Sequence, residues 1–168
     1  MKLLATLNPQ HATIMEISSY ILREAARTVV FDVEKNIAIL HVTTENYYKL
    51  PGGGIEDSES KIMALKRECI EEIGCEIEVI DEIGMIIEQR KMWNMKQISY
   101  CYLSRVKGEK KEAEFTQEER DDGFELLWLP FEQALSLIST NVAQNQERGS
   151  YIVPRDTLFL EAAEKFLK

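Results

Sequence analysis

Hydrophobic and β-branched residues cluster in short runs in the first third of the chain. The segments Arg27–Asp32 and Ile37–Val42 are rich in such residues and are joined by the polar link Val33–Asn36, which predicts two adjacent strands. A shorter extended segment, Tyr47–Leu50, ends at Pro51 and three consecutive glycines, because proline and glycine interrupt regular structure. This part of the chain is therefore predicted to lie in a sheet.

The next segment, Ser60–Ile73, has a different period. Its apolar residues recur at spacings of 3, 4 and 4 positions, which places them on one face of an α-helix: Ile62, Leu65, Cys69 and Ile73. Gly74 follows directly, at the position where a glycine commonly ends a helix. The pattern predicts one amphipathic helix with a buried side.

Beyond this helix the sequence predicts further strands and two more helices. β-Branched and aromatic residues mark the strands Glu76–Ile80, Ile83–Glu88, Ile98–Val106 and Phe124–Leu129. Helices are predicted over Phe131–Ser139, directly after Pro130, and over Arg155–Leu167. Residues 107–122 include 11 charged side chains among 16 and are predicted to form an exposed loop. Because the sequence has no repeat and no linker, we predict a single α/β domain over residues 1–168, with a mixed sheet.

Charge and length narrow the classes of function. The chain has 168 residues, of which 29 are acidic and 20 basic, and a net charge of -9. This charge repels nucleic acid and anionic membranes, so neither is an expected partner. No apolar run approaches the length of a membrane span, and the N-terminal apolar segment is too short for a secretory signal, so we expect a cytoplasmic protein. The cysteines, Cys69, Cys75 and Cys101, lack paired spacing and are expected to be buried.

Three glutamates crowd the end of the predicted helix. Glu68, Glu71 and Glu72 stand at i, i+3 and i+4, so their carboxylates project from one side. Like charges at this spacing repel each other, and the negative end of the helix dipole lies close by. One interpretation is a solvated acidic face. The other is a divalent cation that relieves the repulsion, since Mg²⁺ prefers carboxylate and carbonyl oxygens and the adjacent glycines let a backbone carbonyl approach an ion.

A longer pattern favours the cation. Gly53, Glu59 and the segment Arg67–Cys75 resemble the Nudix box of the Nudix hydrolases, G-x5-E-x7-R-E-U-x-E-E-x-G-U, where U is a bulky aliphatic residue. All seven fixed positions match, and cysteines 69 and 75 occupy the two U positions, where they pack as smaller apolar groups. The resemblance implies an α/β/α sandwich with a mixed sheet, and an enzyme that cleaves a nucleoside diphosphate linked to another moiety.

The resemblance also implies roles for particular residues. Arg67 and Glu59 are implied to form an ion pair that orients the acidic helix. The implied ligands of a Mg²⁺ ion, or of Mn²⁺ in its place, are Glu68, Glu72, the Gly52 carbonyl and, directly or through water, Glu71.

A group that positions or deprotonates the attacking water is still needed. Family members often use a glutamate on a loop outside the box, and the charged loop offers Glu118 and Glu119, of which we favour Glu119. The alternative interpretation is a solvated acidic loop. Other carboxylates that compete for the role are Asp121, Asp122, Glu112, Glu59 and Glu68.

Substrate contacts are expected from cations near these elements along the chain. Arg27, Lys49 and Arg90 are the selected candidates, with Arg23 and Lys91 beside them in sequence. The alternative is that each is an ordinary surface charge. The aromatic residues that could stack on a base are Tyr47, Tyr48 and Trp93.

Two function hypotheses of different class follow. The first is a Mg²⁺-dependent pyrophosphohydrolase acting on a nucleoside di- or triphosphate or a related nucleotide derivative, with nucleoside triphosphates as the default because Arg90 and its neighbours stand where two subfamilies carry a marker proline or tyrosine. The second is a non-catalytic module that senses a nucleotide. Relatives suggest a homodimer, and a small-molecule nucleotide is the expected partner.

Overall fold

The computed structural model describes residues 1–167. The strands are β1 (Leu3–Leu7), β2 (Ile21–Phe31), β3 (Asn36–Val42), β4 (Tyr47–Lys49), β5 (Glu76–Arg90), β6 (Met95–Lys107) and β7 (Phe124–Pro130). The helices are α1 (Ile14–Ile17), α2 (Lys61–Ile73), α3 (Gln117–Asp121), α4 (Phe131–Ser139) and α5 (Gln146–Leu167), with a 3₁₀ turn at Lys91–Trp93.

The strands form one mixed sheet. Its order is β1-β5-β6-β2-β3-β4, and β7 pairs with β3. β1 runs parallel to β5 and β2 parallel to β6, whereas β5 and β6 are antiparallel. β2 and β3 are neighbours, as predicted, but they pair only at Phe31 and Ile37, and β3 pairs along its full length with β7 instead.

Each face of the sheet carries its own hydrophobic core. Alternate residues of a strand point to opposite faces, and β2 divides accordingly: Val29 packs with Phe159 of α5 and Ile138 of α4, whereas Val30 packs with Leu65 of α2. Helices therefore cover both faces. This arrangement confirms the predicted α/β/α sandwich with a mixed sheet.

Helix α2 has the ends that its sequence predicts. The Ser60 hydroxyl accepts a hydrogen bond from the Met63 N–H, which satisfies one of the free donors in the first turn. Gly74 ends the helix in the left-handed conformation, with φ of 62°. Cys69 and Cys75 are buried in the core under this helix, and Cys101 is buried in the opposite one.

Strand β5 corrects one prediction. The predicted segments Glu76–Ile80 and Ile83–Glu88 form a single strand, whose pairing with β6 shifts register near Asp81 and again near Gly84. Such irregularities bend a strand without ending it, so the interrupted pattern resembles two strands. Gly84 is also needed for space, because an added Cβ would lie 2.6 Å from the Leu4 side chain of β1.

Helix α5 corrects a second prediction. It begins at Gln146 rather than at Arg155, although Pro154 lies inside it. A proline removes one backbone hydrogen bond from a helix, but Tyr151 and Ile152 are buried, and this packing holds the first turns in helical form. The edge strand β1 and the short helices α1 and α3 had no predicted counterpart; α3 lies within the predicted loop 107–122.

Within residues 1–167, no helix is both long enough and apolar enough to cross a membrane.

The packing of α2 generates a stability prediction. Leu65 is fully buried, so Leu65→Ala should lower the free energy of unfolding by about 2–5 kcal/mol through lost burial and a residual cavity. Met63, on the exposed side of the same helix, is the matched control, and Met63→Ala should change the value by less than about 0.5 kcal/mol. Urea denaturation measures both. Equal losses would contradict the assignment of the buried face.

Candidate active site

The loop between β4 and α2 lies against strand β2. The Thr28 N–H donates to the Pro51 carbonyl at 3.1 Å, and the Ala26 N–H donates to the Gly53 carbonyl at 3.0 Å. Gly52, between them, has a φ of 125°, and an added Cβ would lie 2.1 Å from the Ala26 carbonyl oxygen. Only glycine fits this position. The Gly52 carbonyl, the implied metal ligand, is thereby held in a fixed place on the loop.

Glu72 is the most deeply buried acid of α2, with 1% of its surface exposed. Its Oε1 lies 2.7 Å from the Lys49 Nζ, and its Oε2 accepts a hydrogen bond of 2.6 Å from the Gly52 N–H. Burial raises the pKa of Glu72, and the nearby Lys49 opposes that rise. Each carboxylate oxygen has a further lone pair, so these bonds leave room for a metal.

Glu68 lies one turn earlier on the same side of α2 and is also buried. Its carboxylate rests directly on Gly53, where an added Cβ would come within 2.1 Å of Oε1 and 2.5 Å of Oε2. The Arg67 Nη1 donates to Oε1 at 2.9 Å. The loop glycine and the arginine therefore fix the direction of this carboxylate.

Arg67 and Glu59 make the contact that the sequence pattern implies. The guanidinium donates to both Glu59 oxygens, from Nε at 2.8 Å and from Nη2 at 3.0 Å. It also donates to the Gly54 carbonyl and to Glu71. The hydrogen bonds between them raise the pKa of Arg67 and lower that of Glu59. This fork joins the loop to the acidic side of α2.

The charged segment is held against the end of α2 by its backbone. The Lys111 N–H donates to the Gly74 carbonyl at 3.0 Å, and the Glu114 N–H donates to the Glu71 carbonyl at 2.7 Å. Helix α3 follows, and its Glu119 closes a capping box with Thr116, accepting hydrogen bonds from the Thr116 N–H at 2.7 Å and the hydroxyl at 2.9 Å. These contacts set the position of Glu119.

Three carboxylates converge as a result. Glu68, Glu72 and Glu119 each offer an oxygen, and the three atoms lie within 4.8 Å of one another. A cluster of hard oxygen donors, mostly buried, fits a divalent cation. Glu71 is outside this cluster and is less buried, and burial raises the pKa of its carboxyl against the opposing effect of Arg67.

The other carboxylates proposed as the base are exposed or make other contacts. Glu118 and Glu112 are exposed, and Asp121 accepts a hydrogen bond from the Gln117 side chain on the surface of α3. The backbone carbonyl of Asp122 holds the loop after β3 through Thr44. Glu59 is occupied by Arg67, as described above.

A cationic pocket lies next to the acidic cluster. It has a volume of about 290 Å³ and is lined mainly by basic and aromatic residues: Arg23, Arg27, Tyr47, Lys49, Arg90, Trp93, Arg148 and Arg155. The structure thus brings together the predicted substrate residues Arg27, Lys49 and Arg90. Lys91 and Tyr48 do not line the pocket. Lys91 pairs with Glu16, and Tyr48 stacks on His41.

The pocket has a polar floor that the sequence analysis missed. On β5 and β6, the buried Glu88 accepts hydrogen bonds from Gln97 at 2.7 Å and from Ser99 at 2.9 Å. Arg90 and Arg155 pair with the same carboxylate; burial works to raise the pKa of Glu88, but the two arginines outweigh it and lower the pKa. Polar residues on the inward face of predicted strands were the available signal.

Arg155 and Asp156 of α5 were also missed. Both are buried, and two hydrogen bonds of 2.6 and 2.9 Å join them. Asp156 also accepts a hydrogen bond from the Leu50 N–H at 2.9 Å, which ties α5 to the start of the glycine loop. A charged pair inside a helix that covers a core was the signal.

Sequence comparison assigns the chain to a family. The sequence model of the NUDIX domain matches residues 21–150. The chain therefore belongs to the Nudix family, whose members are hydrolases that act on phosphoanhydride bonds and generally use a divalent metal. A search of curated proteins finds no significant match to the sequence.

Solved structures share the fold at low sequence identity. The solution structure of the E. coli ORF135 protein matches with a TM-score of 0.59 and 20% identity, over 89% of this chain and 94% of that one. The C. elegans Ap4A hydrolase matches with a TM-score of 0.59 and 15% identity, over 88% of this chain and all of that one. The MutT protein from Methanosarcina mazei also gives 0.59, at 15% identity, over 89% and 98%.

The contact between Gly53 and Glu68 generates a prediction about metal binding. In Gly53→Ala the added methyl would displace the Glu68 carboxylate, so affinity for Mn²⁺, measured by calorimetry, should fall by at least about tenfold. The control is Gly108→Ala: its φ of 79° makes alanine unfavourable for the local backbone, but the methyl has no neighbour within 4 Å, so a folded variant should keep the wild-type Mn²⁺ affinity. Wild-type affinity in a folded Gly53→Ala protein would contradict a metal position beside Glu68.

Proposed function

We propose that the protein is a Mg²⁺-dependent pyrophosphohydrolase that cleaves a diphosphate linkage in a nucleoside di- or triphosphate or a related nucleotide derivative. The observation that carries the proposal is the meeting of Glu68, Glu72 and Glu119, with oxygens within 4.8 Å, beside a cationic pocket. An acidic protein binds a polyanion only where its own charge is locally reversed. The pocket and a bound cation would provide that reversal.

The donor set suits a hard cation, and we propose Glu68, Glu72 and the Gly52 carbonyl as ligands, with Glu71 acting directly or through water. When bound, Mg²⁺ or Mn²⁺ would neutralise phosphate oxygens and make a nearby water more acidic. The protein's own side chains orient the carboxylates that would bind the metal. Arg67 and Glu59 hold the acidic side of α2 against the loop, and Lys49 and the Gly52 N–H hold Glu72.

We propose that Glu119 accepts the proton of the attacking water at its carboxylate. It belongs to α3, a separate element from the helix that carries Glu68 and Glu72, and its carboxylate lies within 4.8 Å of theirs. Its Oε2 is held by the capping box with Thr116, which leaves Oε1 as the proton acceptor. A base must lie within hydrogen-bond distance of its water, and the support for Glu119 is that its carboxylate lies within 4.8 Å of those of Glu68 and Glu72.

The nucleotide-sensing alternative has weaker support. A module that only binds has no use for a full set of acids, and this chain keeps Glu68, Glu71 and Glu72 together with Arg67. The single-domain organisation, the cytoplasmic location and the homodimer stay predictions.

The role of Glu72 is tested by Glu72→Gln. The neutral amide keeps the shape and can still accept a hydrogen bond from the Gly52 N–H, but it removes a charge from the cluster. Phosphate or pyrophosphate release from a panel of nucleotides with Mg²⁺ should fall by at least about a hundredfold, with the fold retained in circular dichroism. Glu76→Gln, an exposed acid just after the helix, should keep wild-type activity. Equal turnover by wild type and Glu72→Gln would refute the metal assignment.

The role of Glu119 is tested against its neighbour. Glu119→Gln should lower kcat by about 10²–10⁴-fold with a small change in KM, because it removes a proton acceptor rather than a substrate contact. Glu118→Gln alters the exposed residue next to it and should leave both constants within about twofold, as surface changes usually do. A larger loss in Glu118→Gln than in Glu119→Gln would reverse the assignment.

A further inference from the structure

Two arginines of the cationic pocket lack a carboxylate partner. Of the pocket cations, Lys49 pairs with Glu72, Arg90 with Glu88, Arg155 with Asp156 and Arg148 with Glu45: these ion pairs span 2.6 to 3.3 Å. Arg23 and Arg27 form no ion pair within residues 1–167. The pocket therefore has two guanidinium groups with no carboxylate in direct contact, although Glu68, Glu72, Glu88 and Asp156 act on them from a greater distance.

Among the described residues, both arginines have only neutral acceptors. Arg23 donates a short hydrogen bond to the Gln97 Oε1. Arg27 donates to the Ala26 carbonyl at 3.3 Å, and its Nε is buried without an acceptor among the described residues. Arg27 is 6% exposed, and burial lowers its pKa to about 10, with Arg155 acting in the same direction. A buried charge without a partner is unfavourable unless a ligand supplies one.

The two arginines belong to one surface. They stand four residues apart on β2, so both side chains lie on the same face of the sheet. Both line the pocket. Together they present two forked sets of donors, which match the oxygens of a phosphate group and its charge of about -2.

Their position relative to the acidic cluster is fixed by the glycine loop. Gly53 rests on the Glu68 carboxylate, and a Cβ on the next residue, Gly54, would lie 3.0 Å from the Arg23 Nη2. Consecutive Cα atoms are about 3.8 Å apart. The cluster and the arginines are therefore adjacent, and one polyphosphate chain is long enough to reach both.

We propose that Arg23 and Arg27 form a seat for a phosphate group attached to the diphosphate that the metal cluster holds, so that the enzyme selects nucleoside triphosphates over diphosphates that end in a neutral sugar. The inference rests on the proposed function, because it places the third phosphate relative to the acidic cluster. It names a substrate class for this site and residues that select it.

The test uses ATP and ADP-glucose as probes. Both contain adenosine and two phosphates. ATP carries a third phosphate in the position where ADP-glucose carries an uncharged sugar. Calorimetry with the full chain and Ca²⁺, which takes the same oxygen ligands as Mg²⁺, measures binding to the cation-loaded site, and chromatography checks that the nucleotides stay intact. Wild type should bind ATP at least about tenfold more tightly than ADP-glucose, since charge-assisted hydrogen bonds are the strong ones. Equal affinities, or no binding of ATP, would overturn the proposal.

Variants assign the preference to the two arginines. Arg23→Gln and Arg27→Gln should each weaken ATP binding by about tenfold and leave ADP-glucose binding within about threefold. Arg105→Gln is the matched control: it removes the same charge from an exposed arginine that pairs with Glu78, and it should bind ATP like wild type. Wild-type ATP affinity in folded Arg23→Gln, or an equal loss in Arg105→Gln, would overturn the seat. If Arg27→Gln does not fold, Arg23→Gln decides.

The same measurement separates this inference from the proposed function. Glu72→Gln should lose hydrolysis but still bind ATP more tightly than ADP-glucose, because the seat does not include Glu72. If Glu72→Gln hydrolyses nucleotides like wild type while the arginine variants lose ATP preference, the metal assignment fails and the seat stands. If Glu72→Gln loses hydrolysis while the arginine variants keep the wild-type preference for ATP, the seat is wrong and the metal assignment stands.

Discussion

The site depends on a buried carboxylate that three parts of the chain share. Glu72 of α2 accepts hydrogen bonds from Lys49 at the end of β4 and from the Gly52 N–H in the glycine loop. An ionised group inside a protein is stable only with partners, and these two partners also fix the loop relative to the helix. The loop in turn needs glycine at Gly52 and Gly53, because β2 and Glu68 occupy the space of a side chain.

The sheet also places a group of basic residues beside the acidic cluster. On one face β2 contributes apolar residues to the core under α2, and on the other its Arg23 and Arg27 line a polar pocket. Glu88, Gln97 and α5 complete that pocket. An acidic cluster thus lies beside a basic one in a protein with a net charge of -9. The strands alternate their side chains, so one sheet can support both a dry core and a charged cavity.

The features that could be predicted from the sequence are those that a local pattern determines. The period of α2, its Ser60 and Gly74 ends and the box glutamates are all local features, and the structure has that helix with those ends and those glutamates on one side. β5 was divided in two because its bulges resemble a break. The predicted helix at Arg155 starts later than α5 does, because the burial of Tyr151, which holds the first turns, is a property of the fold and not of the local sequence. Glu88, Arg155 and Asp156 stand out in the sequence as charges within elements that cover a core, but their partners come from distant segments, which no local pattern encodes.

The charged segment before α3 is attached to α2 through main-chain groups, with the N–H of Lys111 and Glu114 meeting two carbonyls near the helix end. Every residue except proline carries that N–H. Substitutions other than proline at Lys111 and Glu114 can therefore alter charge or side-chain length while these two bonds persist. Lys110, Phe115 and Thr116 are the exceptions, because their side chains contact Asp32, Phe124 and Glu119, so the segment can be redesigned at some positions and not at others.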